Sequence, residues 1–176
     1  MGVISLNKNI NMILSIFADD LRFYAGENLK NKLWVFLFDK SFKLLLSYRI
    51  MFYLKTTKCA FLNRYLYYRQ QKKFNCYISV DAIIGKRLRI PHAFGIVIGA
   101  AVIEDNVTIF HQVTVGSHGN ASRVRSYPTI ETGVKLFTGS KIIGNVRVGK
   151  NAVIGANVVI NKNVQPSTIV KNLHIT

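Results

Sequence analysis

Residues 130–160 read Ile130-Glu-Thr-Gly-Val-Lys-Leu-Phe-Thr-Gly-Ser-Lys-Ile-Ile-Gly-Asn-Val-Arg-Val-Gly-Lys-Asn-Ala-Val-Ile-Gly-Ala-Asn-Val-Val-Ile160. Ile130, Leu136, Ile142, Val148, Ile154 and Ile160 return every six positions in this run. Four positions after each of the first five stands a smaller or branched residue: Val134, Ser140, Val146, Ala152 and Val158. A helix repeats every ~3.6 residues and a flat strand every two, so neither yields a strict six. A β-solenoid does, with one hexapeptide per short strand and turn.

The same period extends outward. Ile78, Ile84, Ile90 and Ile96 keep one phase, and Val97, Ile103, Ile109 and Val115 keep the next after one inserted residue. Ala82, Ala101, Val107, Val113 and Val164 continue the second slot, and Gly85, Gly116, Gly149 and Gly155 each follow an aliphatic directly. Three hexapeptides per coil predict a triangular prism of parallel strands over residues 75–165, with the aliphatics stacked inside. Ser117–Thr129 breaks the phase with Gly119, Asn120, Arg123, Arg125 and Pro128, and reads as a loop thrown out from one edge.

Residues 1–74 follow a different rule. Leu29, Leu33, Phe36, Leu37, Leu44, Leu45, Tyr48, Phe52, Leu62, Leu66 and Tyr67 recur at helical spacing. Three or four helices are expected, with a break at Asp39–Lys40–Ser41, Ser41 as an N-cap, and a loop at Thr56–Thr57–Lys58. Such a region suits the open N-terminal end of the prism, which needs a cap. Residues 166–176 are expected to form a short tail.

The 176 residues carry 24 Lys and Arg against 8 Asp and Glu, a formal charge of +16. Residues 1–74 hold 13 basic and 4 acidic residues, and the remainder hold 11 and 4, so both halves are positive. A field of this sign favours an anionic partner such as a phosphorylated cofactor, an acidic polymer or an acidic membrane surface. No nucleic-acid module is recognisable and the basic residues do not gather on one element, so no specific nucleic acid is expected. Cys59 and Cys76 form neither a zinc pattern nor a disulfide framework, which points to a reducing cytoplasm. Neither a signal segment nor a run of membrane-spanning length is present. The basic, aromatic-rich helical region is read as packing on a neighbour, with peripheral attachment to an anionic membrane as the sharper alternative.

Chemistry gathers around two histidines. His92 lies two residues after Ile90, and His111 two after Ile109. Their separation of 19 residues is one coil plus the inserted residue, so the two rings are expected to stack on adjacent coils, one strand spacing or ~5 Å apart. His118 stands at the root of the long loop, and His174 in the tail carries no expected task. An imidazole titrating near neutrality suits a general base that takes a proton from a hydroxyl as its oxygen attacks a thioester. The oxyanion then needs N–H donors, for which the turns Gly116–Ser117 and Thr138–Gly139 are candidates.

The runs Ile90-Pro-His-Ala-Phe-Gly-Ile-Val-Ile-Gly99 and Ile103-Glu-Asp-Asn-Val-Thr-Ile-Phe-His-Gln-Val-Thr-Val-Gly116 resemble the hexapeptide-repeat acyltransferases. Lys141-Ile-Ile-Gly-Asn145 and Val148-Gly-Lys-Asn-Ala-Val-Ile-Gly-Ala156 continue the likeness. Within that superfamily the chain is most similar to serine acetyltransferases and to bacterial polysaccharide O-acetyltransferases. The resemblance implies a left-handed parallel β-helix, a homotrimer with sites between subunits, and acetyl-CoA as donor. It implies His92 as catalytic base. It implies that Thr138, with Gly139 beside it, and Ala156 line the pantetheine groove, with Ser117 and His118 near the thioester.

Departures from the serine acetyltransferase pattern bear on the acceptor. Pro91 and Tyr77 stand where two aspartates are usual, and Ser126-Tyr127-Pro128 stands for an Arg-His-Pro element. Arg125, one residue off, is expected to substitute, with Tyr127 and His111 as further acceptor contacts. A Gly-Val-Pro-Ala element near the C-terminus, which in that pattern contacts CoA and bears on the donor, is missing from Val170–Thr176. A free amino acid needs a charged pocket, whereas a sugar needs hydrogen bonds and an aromatic platform, which Phe94, Phe110, Tyr127 and Phe137 offer. The resulting expectation is an O-acetyltransferase acting on a cell-surface sugar or its precursor, with L-serine as the alternative acceptor. A zinc-dependent carbonic anhydrase on the same fold would need three converging histidines, and the spacing of His92, His111 and His118 does not suit one metal. An ice-binding-like scaffold would need threonines in one register, and Thr108, Thr114, Thr129, Thr132 and Thr138 are not.

Overall fold

The computed structural model describes residues 10–56, 60–118 and 126–171. Four helices come first: α1 (Ile10–Ala25), α2 (Leu29–Phe38), α3 (Lys40–Thr56) and α4 (Ala60–Phe74). Local chemistry sets their ends. Gly26 takes a left-handed φ of 70° and its N–H closes on the Arg22 carbonyl, a glycine stop for α1. Asn28 caps α2 by accepting from Lys30 N at 2.8 Å. Asp39 ends α2 and caps α3, accepting from Phe42 N at 2.7 Å. The cap expected at Ser41 therefore sits two residues earlier: Asp39 has the extended backbone that a cap requires, and Ser41 is already inside the helix and buried. Of the loop expected after α3, Thr57 and Lys58 lie outside the described residues.

The strands then wind in parallel coils. A first sheet stacks β1 (Tyr77–Ile78), β3 (Val97–Ile98), β6 (Thr114–Gly116), β9 (Lys141–Ile143) and β12 (Val159–Ile160). A second stacks β2 (Ile83–Ile84), β4 (Val102–Ile103), β7 (Thr129–Ile130) and β10 (Arg147–Val148). A third stacks β5 (Thr108–Ile109), β8 (Lys135–Leu136), β11 (Val153–Ile154) and β13 (Ile169–Val170). The fold is a left-handed parallel β-helix behind a helical region. The register pairs like with like, as in Ile84↔Ile103↔Ile130 and Ile109↔Leu136↔Ile154. These aliphatics are buried, and so are the second-slot residues Ala82, Ala101, Val107, Val113, Val134, Ser140 and Ala152. β13 pairs with β11, so the winding runs past residue 165 into the segment assigned to a tail.

The phase slip differs from the sequence expectation. Val97 points outward at 40% exposure, while Ile98 faces the core and pairs with Ile78. Ile96 falls in the second slot and is also buried. Residues 91–95 bulge out of the winding: Phe94 N donates to His92 O at 2.9 Å, Gly95 turns at φ 65°, and Gly95 N donates to Asn75 O at 3.0 Å. The chain gains two residues there and loses one before Ile103, which is why a single insertion fitted the periodicity.

The helices close the open end of the prism. Ile78 N donates to Gln70 Oε1 at 3.2 Å, and Tyr48 Oη donates to Ala82 O at 2.8 Å. Arg49 donates to Ile84 O at 2.6 Å and Gly85 O at 2.5 Å. Tyr24 Oη donates to Leu88 O at 3.2 Å and accepts from Ile90 N at 2.9 Å. Arg87 N donates to Asp20, whose carboxylate also meets Arg49 Nε at 3.0 Å. Burial pushes the Tyr48 hydroxyl up to about 12, keeping it a neutral donor. Burial also raises the Asp20 carboxyl above its ordinary range, because desolvation outweighs the attraction of Arg49. The pair therefore adds little net attraction, and its work is to match the coil's polar edge.

Removing one side of a buried pair leaves an uncompensated charge, typically at a cost of ~3–5 kcal/mol. Arg49→Ala is expected to lower unfolding free energy by about that amount. Asp19→Ala, which removes the partly exposed pair with Lys86, is expected to cost only a small fraction of that. Urea melts of both variants check the contrast, and equal effects would contradict it.

Candidate active site

One edge of the prism joins the third sheet to the first. Residues 91–96, 110–113, 137–140 and 155–158 stack there, one above another. The edge brings together His92, His111, Thr138, Gly139 and Ala156. The His92 and His111 ring centroids lie 5.6 Å apart at 70°, as the spacing of 19 residues predicts. His92 is exposed, and His111 is half-buried with its Nδ1 enclosed and unpartnered among the described residues. Beside His111, Phe110 stacks on Phe137 of the next coil at 4.8 Å and 12°.

Backbone hydrogen bonds fix this edge. Gln112 N donates to Phe94 O at 2.9 Å, Gly139 N to His111 O at 3.1 Å, and Asn157 N to Thr138 O at 2.9 Å. Gly139 sits at φ 71°, and a Cβ there would lie 2.1 Å from Asn157 Oδ1, so both conformation and space require glycine. Its N–H is committed to His111, which removes Gly139 as an oxyanion donor. Lys141 was not singled out by the sequence, yet its ammonium reaches back to Gly139 O at 3.1 Å. Only its place directly after a turn signals this.

The other predicted residues occupy a different edge. Ser117, His118 and Tyr127 lie between β6 and β7, where the first sheet passes to the second, a hexapeptide away from the histidine pair. The His118 ring rests on Gly144, where a Cβ would come within 2.2 Å of its Nε2. The Tyr127 ring covers Gly99, where a Cβ would come within 2.5 Å, and it packs on the core. Within one chain Tyr127 is thus a packing residue beside the loop. Arg125 lies outside the described residues.

The sequence has eight carboxylates, and none falls in the four segments of the histidine edge. Each is engaged elsewhere. Asp19, Asp20 and Glu27 pair with Lys86, Arg49 and Arg22. Asp39 caps α3, Asp81 meets Lys55, and Glu104 accepts from Thr132. Asp105 accepts from Lys86 N, and Arg147 hydrogen-bonds Glu131 and holds it below the usual carboxylate range. Among the described residues no three His, Cys, Asp or Glu side chains converge as a metal site. His118, on the other edge, is not positioned to complete a triad with His92 and His111.

A family model described as bacterial transferase hexapeptide (six repeats) matches residues 127–162. A serine acetyltransferase of Buchnera aphidicola is 38% identical over 129 residues, covering 72% of this chain and 47% of that protein. The chain thus spans about half the length of the curated relatives it matches. A solved serine acetyltransferase in complex with cysteine superposes with a TM-score of 0.82 at 33% identity, covering 93% of this chain and 69% of that one. A serine acetyltransferase in complex with CoA gives 0.78 at 32%, covering 91% and 66%. With its stacked hexapeptides, its histidine edge and these likenesses, the chain belongs to the hexapeptide-repeat acyltransferase superfamily, with serine acetyltransferases among its relatives.

Proposed function

We propose that this protein is an acetyl-CoA-dependent O-acetyltransferase of the serine acetyltransferase type, with His92 as general base. The observation that carries this reading is the exposed His92 ring held against His111 on a rigid edge. His92 takes the proton of the acceptor hydroxyl as its oxygen bonds to the acetyl carbon. The carbon–sulfur bond then breaks, and His92 returns the proton to the departing thiolate. His111 packs against His92 and restricts its orientation.

Residues at this edge suit the donor. Gly139 and Ala156 are small, Phe137 offers apolar surface, and Lys135 and Lys141 flank the edge with cations for phosphates. The thioester supplies the acetyl group. Gly139 N–H is already engaged and Gly116 sits in the β6–β9 ladder, so the Ser117 N–H on the loop edge is the oxyanion donor in this reading. Two half-sites on different edges are what a homotrimer would unite, each subunit presenting its histidine edge to a neighbour's loop edge. The free, buried Cys76 suits a reducing cytoplasm.

For the acceptor, the comparisons reverse the order given by the sequence. The relatives are named serine acetyltransferases, so L-serine stands ahead of a sugar. The missing carboxylates favour the second reading. An ammonium group has no counter-charge at the histidine edge, whereas a neutral sugar hydroxyl needs none.

His92→Ala is expected to lower kcat by roughly 10²–10⁴-fold while leaving CoA affinity unchanged, read by thiol release and calorimetry. Near-normal turnover would remove His92 from the chemistry. In the same assay, turnover of L-serine above that of nucleotide-linked and lipid-linked sugars is the expected result. The opposite order would establish the second reading, and activity with neither would defeat both.

A further inference from the structure

The histidine edge leaves one large feature unexplained. α2 buries only Val35. Leu29 is 80% exposed, Trp34 59% and Phe38 63%, and Leu33, Phe36 and Leu37 are exposed as well. A ten-residue helix that is apolar on nearly every side is normally covered by something. Its inner flank continues into a groove of ≈ 280 Å³ between α2, α3 and α4, where Phe36, Leu37 and Ile50 meet Lys43, Arg69 and Lys73. On α4, Phe61, Tyr65 and Tyr68 are exposed as well.

The charge on these three helices has one sign. Their sequences contain no Asp or Glu, while Lys30, Lys32, Lys40, Arg64 and Lys72 add to the groove's cations, Lys32 standing 3.3 Å from Glu27. Asp39, between α2 and α3, is occupied as a helix cap. The basic residues interleave with Trp, Phe and Tyr, and such rings with cations beside them suit the headgroup level of a bilayer. Among the described residues no helix is long and apolar enough to cross a membrane, so the fit is to a surface. A second copy is the weaker occupant. Mating this face with itself would bring Lys and Arg against Lys and Arg, and like-charge juxtaposition is unfavourable.

We propose that α2 and its groove dock on the surface of a bilayer containing anionic lipid, with Trp34 and Phe38 entering the interface and the surrounding lysines and arginines meeting the headgroups. This proposal does not depend on the acetyl-transfer reading. It assigns the helical region a task besides capping the prism, and it predicts where the catalytic domain is held.

Trp34 is the chain's one tryptophan, so intrinsic fluorescence reports this face alone. The intact protein is titrated with vesicles of phosphatidylcholine, and with vesicles carrying about 30 mol % phosphatidylglycerol. A blue shift with co-sedimentation is expected on the anionic vesicles only, weakened roughly tenfold or more between low and high salt. Lys30→Gln with Lys32→Gln is expected to weaken binding by roughly tenfold. Phe38→Ser is expected to weaken it while leaving Trp34 as the probe, with circular dichroism confirming that each variant is folded. Equal binding to neutral vesicles, or no shift on either kind, would overturn the proposal. So would Trp34 emission already blue in buffer that turns red on dilution, which would put a second copy on this face.

Discussion

The structure depends on how the first coil of the β-helix ends. Each interior coil has its backbone groups paired above and below, but the first has neighbours on one side only. A bare parallel edge of this kind recruits other chains. Here Gln70, Tyr48, Arg49, Tyr24 and Asp20 meet Ile78 N, Ala82 O, Ile84 O, Gly85 O, Leu88 O, Arg87 N and Ile90 N. Side chains on helices thus do what another strand would do. Leu44, Leu45 and Tyr48 carry the hydrophobic core across the same junction into Ile78 and Ile84.

That junction also sets the candidate site. Asn75 follows α4 with a φ of 54°, and its carbonyl accepts from Gly95 N. Gly95 ends the bulge at 91–95 that lifts His92 out of the winding. Gln112 N donates to Phe94 O and Gly139 N to His111 O, so successive coils fix the bulge and the second histidine in turn. The exposed His92 ring is held by backbone geometry, not by a carboxylate partner. This agrees with Pro91 and Tyr77 at positions where the serine acetyltransferase pattern has aspartates.

Much of this was legible in the sequence because a period of six has one structural meaning. The three-sheet winding and the contact of His92 with His111 both follow from counting. Counting fails where two changes offset one another. Two residues gained before Ile98 and one lost before Ile103 read as a single insertion, so Val97 was assigned inward when it is Ile98 that faces the core. Asp39 and Ser41 both have capping side chains, and only the backbone conformation distinguishes them. The capping contacts span sequence separations up to 67 residues, as for Asp20 with Arg87, and no local pattern encodes them. The placement of Tyr127 and the histidine pair on different edges was invisible for a similar reason, since no local pattern shows that the Tyr127 ring lies over Gly99.

Hydrogen exchange at the amides of Ile78, Arg87 and Ile90 tests the capping account most directly. If the helices truly close the prism, these amides should exchange as slowly as those of interior strands such as Val115 and Ile142, through global unfolding alone. Exchange at the rate of a fraying terminus, with the interior strands still protected, would mean that the helices lie beside the β-helix without closing it.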